Sequence, residues 1–178
     1  MINEQMLGDA FELLPKILDK SVDLVLTDPP YDFCPLDKAI IHNELKRICK
    51  GTIIVFSPPE NQWILPADQY LFWVKPISTK NTSKRYSRFV EMIFVYRSGI
   101  WNAKRHWSQY TNVFMDLVDN AKLHPFRKPP SLIKRLIENH SNENDIILDP
   151  FCGSGVVAEV AKSLNRNCIS IDKENYDN

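Results

Sequence analysis

The stretch Val22-Asp23-Leu24-Val25-Leu26-Thr27-Asp28-Pro29-Pro30-Tyr31 decides the fold of this chain. Its first six residues form an apolar run of β type, and the two prolines must end the strand because neither can donate a hydrogen bond to a neighbouring strand. A second run, Thr-Ile-Ile-Val-Phe at 52–56, is almost continuously apolar, which is typical of the centre of a parallel sheet. The chain is therefore expected to build a sheet that is covered on both faces.

Strand patterns and helix patterns alternate along the rest of the chain, which predicts an α/β fold. The pattern places further strands at 2–7, 71–74, 89–96, 145–149 and 168–172, and helices at 11–18, 36–49, 129–140 and 156–164. A polar, basic loop at 78–88 joins the strands at 71–74 and 89–96. The length of 178 residues predicts one domain covering 1–178.

The composition excludes several classes of protein. Apolar residues make up 44% and charged residues 25% of the chain, which excludes intrinsic disorder, collagen-like repeats and a disulfide scaffold. No apolar run approaches the ~18 residues of a membrane span, and no signal-peptide pattern is present at the N-terminus. The four cysteines form no CxxC pair, so they are expected to be reduced and no structural zinc site is expected.

The net charge is zero, but the charge is unevenly distributed. The segment 73–128 holds 11 lysines and arginines and only three acids, so it carries +8 and the remainder −8. Such asymmetry is expected of a surface that binds phosphate groups, although a solvated charged face would give the same pattern.

A glycine-rich motif, Asp149-Pro150-Phe151-Cys152-Gly153-Ser154-Gly155, follows a strand and precedes a helix. Glycines there let the backbone approach a ligand closely, and the helix N-terminus supplies unpaired N–H groups. Asp172 ends the next strand, where an acid can accept hydrogen bonds from ribose hydroxyls. The motif lacks the GxGxxG pattern and the P-loop lysine, so the expected ligand is a nucleoside without phosphates; a tight turn beside a surface aspartate is the alternative.

The motif Asp28-Pro29-Pro30-Tyr31 lies at the carboxyl end of its strand, where ligands collect in open α/β sheets. Asp28 offers a carboxylate, Pro29 a carbonyl oxygen on a stiff backbone, and Tyr31 an aromatic face. This set suits a planar ring that bears an exocyclic amine. A proline turn capped by a carboxylate is the structural alternative.

Taken in order, these motifs resemble those of the DNA amino-methyltransferases, which transfer a methyl group from S-adenosylmethionine to adenine N6 or cytosine N4. Asp-Pro-Pro-Tyr precedes the glycine-rich motif, as in the circularly permuted β-class. Three further stretches extend the resemblance over most of the chain except 99–123: Gly8-Asp9 followed by 21–24; Trp73-Val74-Lys75-Pro76 followed by 91–95; and His124-Pro125-Phe126-Arg127-Lys128-Pro129.

The resemblance implies a Rossmann-like methyltransferase fold, circularly permuted, with a mostly parallel sheet and an antiparallel hairpin strand. It implies S-adenosylmethionine as cofactor, DNA as partner, base flipping, and direct in-line transfer to adenine N6 without a metal, in the cytoplasm of a bacterial, archaeal or phage-infected cell. The catalytic residues would be Asp28, Pro29, Pro30 and Tyr31. The cofactor-binding residues would be Asp9, Lys128, Asp149, Phe151, Gly153, Gly155 and Asp172.

The basic segment supplies the candidate DNA contacts. We expect phosphate contacts from Lys75 and the loop at 78–88, and the full set of candidates is Lys75, Lys80, Lys84, Arg85, Arg88, Lys104 and Arg105. A small target-recognition region is expected at about 99–123.

The chain departs from the family by being short. It ends soon after Asp172, so the helix that usually follows this strand is expected to be absent, with the two termini near each other along one side of the sheet. The absence of a covering helix would expose apolar surface, and such surface is typical of protein–protein interfaces, so a homodimer is a hypothesis.

Three other functions remain open. Cytosine N4 is the first, although β-class cytosine enzymes usually begin the tetrad with Ser. Methylation of an amide or amine on RNA or protein is the second, although enzymes that act on protein glutamine usually begin it with Asn. A silent nucleic-acid-binding module that keeps the fold is the third, and cofactor binding without methyl transfer would indicate it.

Neutralising Lys84, Arg85 and Arg88 together should weaken DNA binding, because each phosphate contact that is lost removes ~0.9 from the slope of log affinity against log salt concentration. Fluorescence anisotropy with duplex DNA at several salt concentrations measures both quantities. Unchanged affinity at low salt would mean that the loop is an ordinary solvated surface.

Overall fold

The computed structural model describes residues 3–75, 89–96, 99–102, 110–116 and 127–173. Its strands within these ranges are β1 (Asn3–Leu7), β2 (Val22–Thr27), β3 (Cys49–Ser57), β4 (Gln69–Val74), β5 (Val90–Tyr96), β6 (Val113–Phe114), β7 (Ile146–Asp149) and β8 (Asn167–Asp172). Its helices are α1 (Ala10–Leu13), α2 (Pro35–Ile48), α3 (Pro130–His140) and α4 (Val156–Ser163). None of these helices has the length and apolar character needed to cross a membrane.

All the strands join one sheet in the order β1-β8-β7-β2-β3-β5-β4-β6. Only β5 runs against its neighbours β3 and β4, and the other pairs are parallel. The predicted parallel sheet with an antiparallel hairpin strand is therefore confirmed. β1 and β8, the first and last strands of the described residues, are parallel neighbours. The closeness of the two termini and the circular permutation both stay predictions.

Both faces of the sheet are buried, which explains the continuous apolar runs. Along β2 and β3, Leu24 and Ile54 point into a core shared with α3 and α4. The residues next to them, Val25 and Ile53, point into a second core shared with α1 and α2. A strand at the centre of such a three-layer arrangement has no face in contact with water, so apolar and polar residues do not alternate along it.

The first helix is shorter than predicted. A helix was expected over 11–18, but α1 ends at Leu13, a 3₁₀ turn covers Leu14–Lys16, and the backbone is extended at Ile17. Pro15 is the physical cause, because it has no amide hydrogen to donate to the preceding turn and its ring crowds the carbonyl four residues earlier.

The region at 99–123 contains a strand that the sequence did not reveal. Val113–Phe114 forms β6 and adds to the sheet beside β4, through the pairs Phe72 with Val113 and Trp73 with Phe114. Two residues are too few to show a periodic pattern, so β6 could not be found from the sequence.

Candidate active site

The carboxyl ends of β2, β7 and β8 lie side by side, because the three strands are parallel neighbours. Each end is followed or closed by an aspartate, namely Asp28, Asp149 and Asp172. A cavity of about 150 Å³ opens at this edge, and Asp28 lines it together with Asp149, Phe151 and Gly153. The two predicted motifs, which begin 121 residues apart in the chain, therefore share one cavity.

The glycine-rich motif forms a cradle around this cavity. Gly153 has φ +46° and Gly155 has φ +68°, left-handed conformations that disfavour a side chain. A Cβ atom at Gly153 would meet no atom within 4 Å, so the space above it is open. Asp172 accepts a hydrogen bond from the Gly153 amide at 2.7 Å and so fixes the turn against the end of β8.

Asp149 is almost completely buried beneath the same turn. Its carboxylate accepts hydrogen bonds from the Thr27 hydroxyl at 2.8 Å and from the Phe151 amide at 3.2 Å. Burial raises the pKa of Asp149 to about 7, although these two hydrogen bonds work in the opposite direction. A cationic ligand in the cavity would stabilise the ionised form of this carboxylate.

Asp9 lies at the same edge, after β1. Its carboxylate caps α1 by accepting a hydrogen bond from the Phe11 amide at 2.9 Å, and it pairs with Lys173 at 3.0 Å. These contacts hold the pKa of Asp9 below its ordinary value, with the hydrogen bond from Phe11 as the largest cause. The Gly8 amide donates to the Asp172 carbonyl at 2.8 Å, so Asp9 and Asp172 are neighbours.

A compact charge cluster surrounds Asp28. It consists of Asp28, Tyr31, Lys75, Glu91 and Lys128. The Lys128 ammonium contacts Asp28 Oδ2, lies 3.3 Å from Glu91 Oε2 and donates to the Tyr31 hydroxyl at 3.3 Å. Glu91 Oε1 accepts from Lys75 at 2.7 Å and from the Tyr31 hydroxyl at 3.1 Å. Two carboxylates thus balance two ammonium groups in a largely buried site.

The pKa values within the charge cluster follow from burial and from the opposite charges. Burial raises the pKa of Asp28, and the positive charge of Lys128 only partly offsets this effect. For Glu91, burial acts in the same direction, but the charges of Lys128 and Lys75 outweigh it and the pKa is lowered. Burial tends to lower the pKa of Lys128, but Asp28 and Glu91 outweigh it and the pKa is raised.

Asn61 and Lys38, which were not predicted as site residues from the sequence, fix the backbone of the loop that carries Tyr31. The Asn61 side-chain amide donates to the Tyr31 carbonyl at 2.6 Å and to the Phe33 carbonyl at 3.3 Å. The buried Lys38 ammonium in turn contacts the Asn61 side chain and donates to the Gln62 carbonyl at 2.9 Å. Asn61 lies just beyond the carboxyl end of β3. Because ligand sites in α/β sheets form at the carboxyl ends of strands, this position could have identified Asn61 as a candidate site residue.

Aromatic side chains connect this loop to the glycine-rich turn. The Phe33 ring lies between the rings of Phe11 and Phe151, with centroid distances of 5.7 and 5.5 Å. Such tilted and edge-to-face pairs add to the stabilisation from buried area. The two motifs are thereby packed against each other as well as facing one cavity.

Arg127 and Lys128 bridge the two halves of the site from the chain preceding α3. Arg127 pairs with Glu159 at 2.6 Å and donates to the Ser154 carbonyl at 3.4 Å in the glycine-rich motif. The next residue, Lys128, reaches Asp28. This short segment therefore contacts both predicted motifs at once.

Of the residues predicted to bind DNA, only Lys75 belongs to the described part of the chain. Lys75 belongs to the charge cluster, where it pairs with Glu91 and lies 4.9 Å from the Trp73 ring centroid, and its contact with phosphate stays a prediction. Lys80, Lys84, Arg85, Arg88, Lys104 and Arg105 lie outside the described residues, as do 78–88 and 124–126.

The start of the proposed recognition region lies away from the cavity. The Gly99 amide donates to Thr52 Oγ1 at 3.0 Å near the start of β3, and Asn102 donates to the Ser141 carbonyl at 2.8 Å after the end of α3. The first contact lies near the start of β3 and the second lies in the segment before β7, so both are at the edge of the sheet opposite Asp28. The role of 99–123 in target recognition stays a prediction.

Several known proteins are similar to this chain in sequence. A family model described as DNA methylase, of the N6 and N4 type, matches residues 41–177. Type II methyltransferase M.HpaI of Haemophilus parainfluenzae is 24% identical over 93% of this chain and 68% of its own length. DNA adenine methyltransferase YhdJ of Escherichia coli K12 is 25% identical over 93% of this chain and 76% of its own length.

Solved structures share the fold over almost the whole chain. The crystal structure of the M1.HpyAVI–SAM complex superposes with a TM-score of 0.73 and 26% identity, covering 98% of this chain and 95% of that one. The cytosine-N4-specific PvuII DNA methyltransferase has a TM-score of 0.77 at 18% identity, covering 98% and 83%, a likeness of fold alone. Because the family model spans well over half of the sequence, this chain belongs to the N6/N4 DNA methylase family.

Proposed function

We propose that this protein transfers the methyl group of S-adenosylmethionine to the N6 amine of adenine in DNA. The observation that carries the proposal is that Asp28 and the glycine-rich turn line one cavity, so a donor bound at the turn would face an amine bound at Asp28. The choice of adenine rests on the Asp that begins the tetrad. A relative of 25% identity, named as a DNA adenine methyltransferase, supports it, and the PvuII enzyme does not oppose it because that likeness concerns the fold.

The residues around the glycine-rich turn fit S-adenosylmethionine, whose sulfonium supplies an activated methyl group. Asp149 is a buried carboxylate that a cationic ligand would stabilise, and Gly153 leaves open space where a side chain would stand. Asp172 lies at the tip of β8, where it can accept hydrogen bonds from ribose hydroxyls. Asp9 would lie near the adenine ring of the cofactor, with Phe151 and Gly155 around its body. The M1.HpyAVI structure, a complex with SAM, supports S-adenosylmethionine as the cofactor.

The residues around Asp28 fit the target amine. An exocyclic amine is a poor nucleophile, because its lone pair is delocalised into the ring. Asp28 and the Pro29 carbonyl accept its two N–H bonds and favour a pyramidal nitrogen, and Asp28 or a nearby water takes the proton. Asp28 Oδ1 is buried and has no hydrogen-bond partner among the described residues, so a donor placed there would satisfy an otherwise unpaired acceptor. The protein otherwise acts by positioning the reactants in line.

A base in duplex DNA must leave the stack to reach this cavity, at a cost of a few kcal/mol. The Tyr31 side chain, 38% exposed, offers a ring on which the base can stack, which contributes ~1–3 kcal/mol. Basic residues of the segment 73–128 would hold the phosphates, and 99–123 would read the site. Incubating the protein with tritiated S-adenosylmethionine and unmethylated genomic DNA, followed by nucleoside analysis, tests the proposal. N6-methyladenine is expected, and labelled N4-methylcytosine alone would refute the choice of base.

Asp28→Ala should reduce methyl transfer by at least about 100-fold, because the acceptor of the amine proton is lost. Cofactor binding, measured by calorimetry, should remain nearly unchanged. Asp32→Ala, which removes an exposed carboxylate from the same loop, is the matched control and should keep its activity. Full activity of folded Asp28→Ala would end the catalytic assignment.

Asp172→Ala should weaken cofactor binding by about 10-fold or more, because hydrogen bonds to a charged group contribute ~1.5–3 kcal/mol. Asp172→Asn removes the charge but keeps an oxygen that can accept the hydrogen bond from the Gly153 amide. Comparing the two variants therefore distinguishes the effect of the lost charge from the effect of a disrupted turn. Calorimetric titration with S-adenosylhomocysteine and S-adenosylmethionine measures the effect. An unchanged titration curve for the alanine variant would remove Asp172 from the ribose site.

Cofactor affinity should depend on pH through Asp149. Its pKa of about 7 in the free protein means that the carboxyl is mostly protonated at pH 6 and ionised at pH 8. A cationic ligand binds the ionised form, so affinity should rise about tenfold from pH 6 to pH 8 and level off above the free-protein pKa. Calorimetry across this range should give a flatter profile for Asp149→Asn, whereas Glu143→Gln, an exposed carboxylate at the opposite edge, should follow the unmodified protein.

A further inference from the structure

Asn61 holds the loop that follows β2 by two of its carbonyl oxygens. Pro29 and Pro30 have no amide hydrogen, so this stretch of the loop has few backbone donors with which to fix itself. The Asn61 side-chain amide donates to the Tyr31 carbonyl at 2.6 Å and to the Phe33 carbonyl at 3.3 Å. One side chain therefore fixes the loop at two points just beyond the prolines.

The orientation of the Asn61 amide is determined by Lys38. The Lys38 ammonium contacts Asn61 Oδ1 and donates to the carbonyls of Asn61 and Gln62 at 3.0 and 2.9 Å. Because an ammonium group can only donate, it must face the oxygen of the amide rather than the nitrogen. The nitrogen Nδ2, which carries both N–H donors, is thereby directed at the loop.

The burial of Lys38 is explained by these contacts. Lys38 is 5% exposed, and its three acceptors in the described part of the chain are uncharged oxygens. Burying an ammonium without an opposite charge beside it is unfavourable, and a methionine of similar length would avoid this cost. The three N–H donors, rather than a gain in stability, therefore account for a lysine at this position.

The backbone of Asn61 is fixed to the central strand β3. The Ser57 hydroxyl, at the end of this strand, donates to the Asn61 carbonyl at 2.9 Å, and the Asn61 amide donates to the Pro58 carbonyl at 3.2 Å. Ser57 is 2% exposed and so belongs to the buried part of the sheet. The group that holds the loop is thus itself held by β3 and, through Lys38, by α2.

We propose that Asn61 and Lys38 are positioning residues that fix the Tyr31 ring, before any base is bound, in the place where the target base stacks. Asn61 acts directly on the Tyr31 backbone, and Lys38 acts through Asn61. This inference rests on the function proposed above and adds to it the residues that prepare the stacking surface.

The Tyr31 side chain is held at both ends. Its hydroxyl donates to Glu91 at 3.1 Å and accepts from Lys128 at 3.3 Å, whereas its backbone carbonyl accepts from Asn61. The contacts of Asn61 are with carbonyls beyond Pro29, so they leave to the target amine the Pro29 carbonyl that the proposed reaction uses. The ring is therefore oriented without occupying the acceptors of the amine.

A loop that is ordered in advance favours base flipping. Ordering the backbone of one residue costs a free energy of the same order as the stacking of one base contributes. If the loop had to be ordered when the base arrived, most of the stacking free energy would be offset. With the loop already fixed by Asn61, that free energy remains available to stabilise the flipped base.

Asn61→Asp tests the proposal, because it is nearly isosteric and replaces the two N–H donors by an acceptor. The new carboxylate can still accept from Lys38, but it repels the carbonyls of Tyr31 and Phe33. Turnover at saturating S-adenosylmethionine and genomic DNA should fall about 10- to 100-fold, since misplacing a reacting group by about 1 Å has an effect of this size. Turnover is expressed per cofactor site, counted by calorimetry with S-adenosylhomocysteine, so that unfolded protein does not contribute.

The KM for DNA and the affinity for S-adenosylhomocysteine should change less than about threefold in Asn61→Asp, because phosphate contacts dominate DNA binding. Asn43→Asp makes the same chemical change at an exposed position of α2 and is the matched control, which should keep its turnover. If Asn61→Asp does not bind S-adenosylhomocysteine, Asn61→Ala removes the donors without adding a charge and carries the same expectation.

A double-mutant cycle with Tyr31→Ala shows whether Asn61 acts through the ring. Without the ring Asn61 has nothing to position, so adding Asn61→Asp to Tyr31→Ala should reduce turnover by no more than about threefold further. Tyr31→Ala keeps the backbone carbonyl, so a role in loop folding alone would persist and the two losses would multiply. Multiplied losses overturn the proposal.

Lys38→Met should reduce turnover several-fold and less than Asn61→Asp does, because Asn61 keeps its donors and loses only the contact that orients its amide. A greater loss than in Asn61→Asp would mean that Lys38 does not act through Asn61, and it overturns the role given to Lys38. An unmodified chain that binds cofactor but methylates no DNA refutes the proposed function itself. An active chain whose Asn61→Asp variant keeps full turnover refutes only the positioning role.

Discussion

The constraint on which this site depends is the parallel alignment of β2, β7 and β8, which collects Asp28, Asp149 and Asp172 at one edge of the sheet. Carboxylates in such surroundings lose hydration, and burial raises the pKa of both Asp28 and Asp149. A different partner stabilises the charge of each of the three carboxylates. Asp149 relies on Thr27 and a backbone amide, Asp172 holds the Gly153 amide, and Asp28 contacts a lysine. This difference distinguishes the proposed cofactor side of the cavity from the proposed amine side.

The Asp28 side of the cavity is built from residues that lie far apart in sequence. Asp28, Glu91 and Lys128 come from the end of β2, the start of the antiparallel strand β5 and the segment before α3. Glu91 can reach Asp28 because β5 is antiparallel to β3 and β4. A strand that runs in this direction begins at the edge where the parallel strands end. The charge cluster is neutral as a whole, which lets it be buried without a net charge.

Much of the fold could be predicted because burial on both faces leaves a clear record in the sequence. The runs at 22–27 and 52–56 are apolar throughout, and Pro29 and Pro30 mark the strand end. Prediction failed where short-range chemistry outweighed periodicity. Pro15 ended α1 within an apparently helical pattern, and β6 was too short to have a pattern. The Lys38–Asn61 contact behind Tyr31 could not be predicted either, because it joins α2 to a turn after β3.

The sequence by itself determined the α/β class, the order of the strands and helices other than β6, and the two motifs, since hydrophobic period and turn residues are local properties. It also indicated that these motifs belong at one edge, because strand ends in a parallel sheet share an edge. Only the tertiary structure decided which side chains meet there. The pairing of Lys128 with Asp28 and Glu91, and of Arg127 with Glu159, depends on chain crossings and distances of a few ångströms. Such contacts are set by packing of the whole molecule, and no local pattern records them.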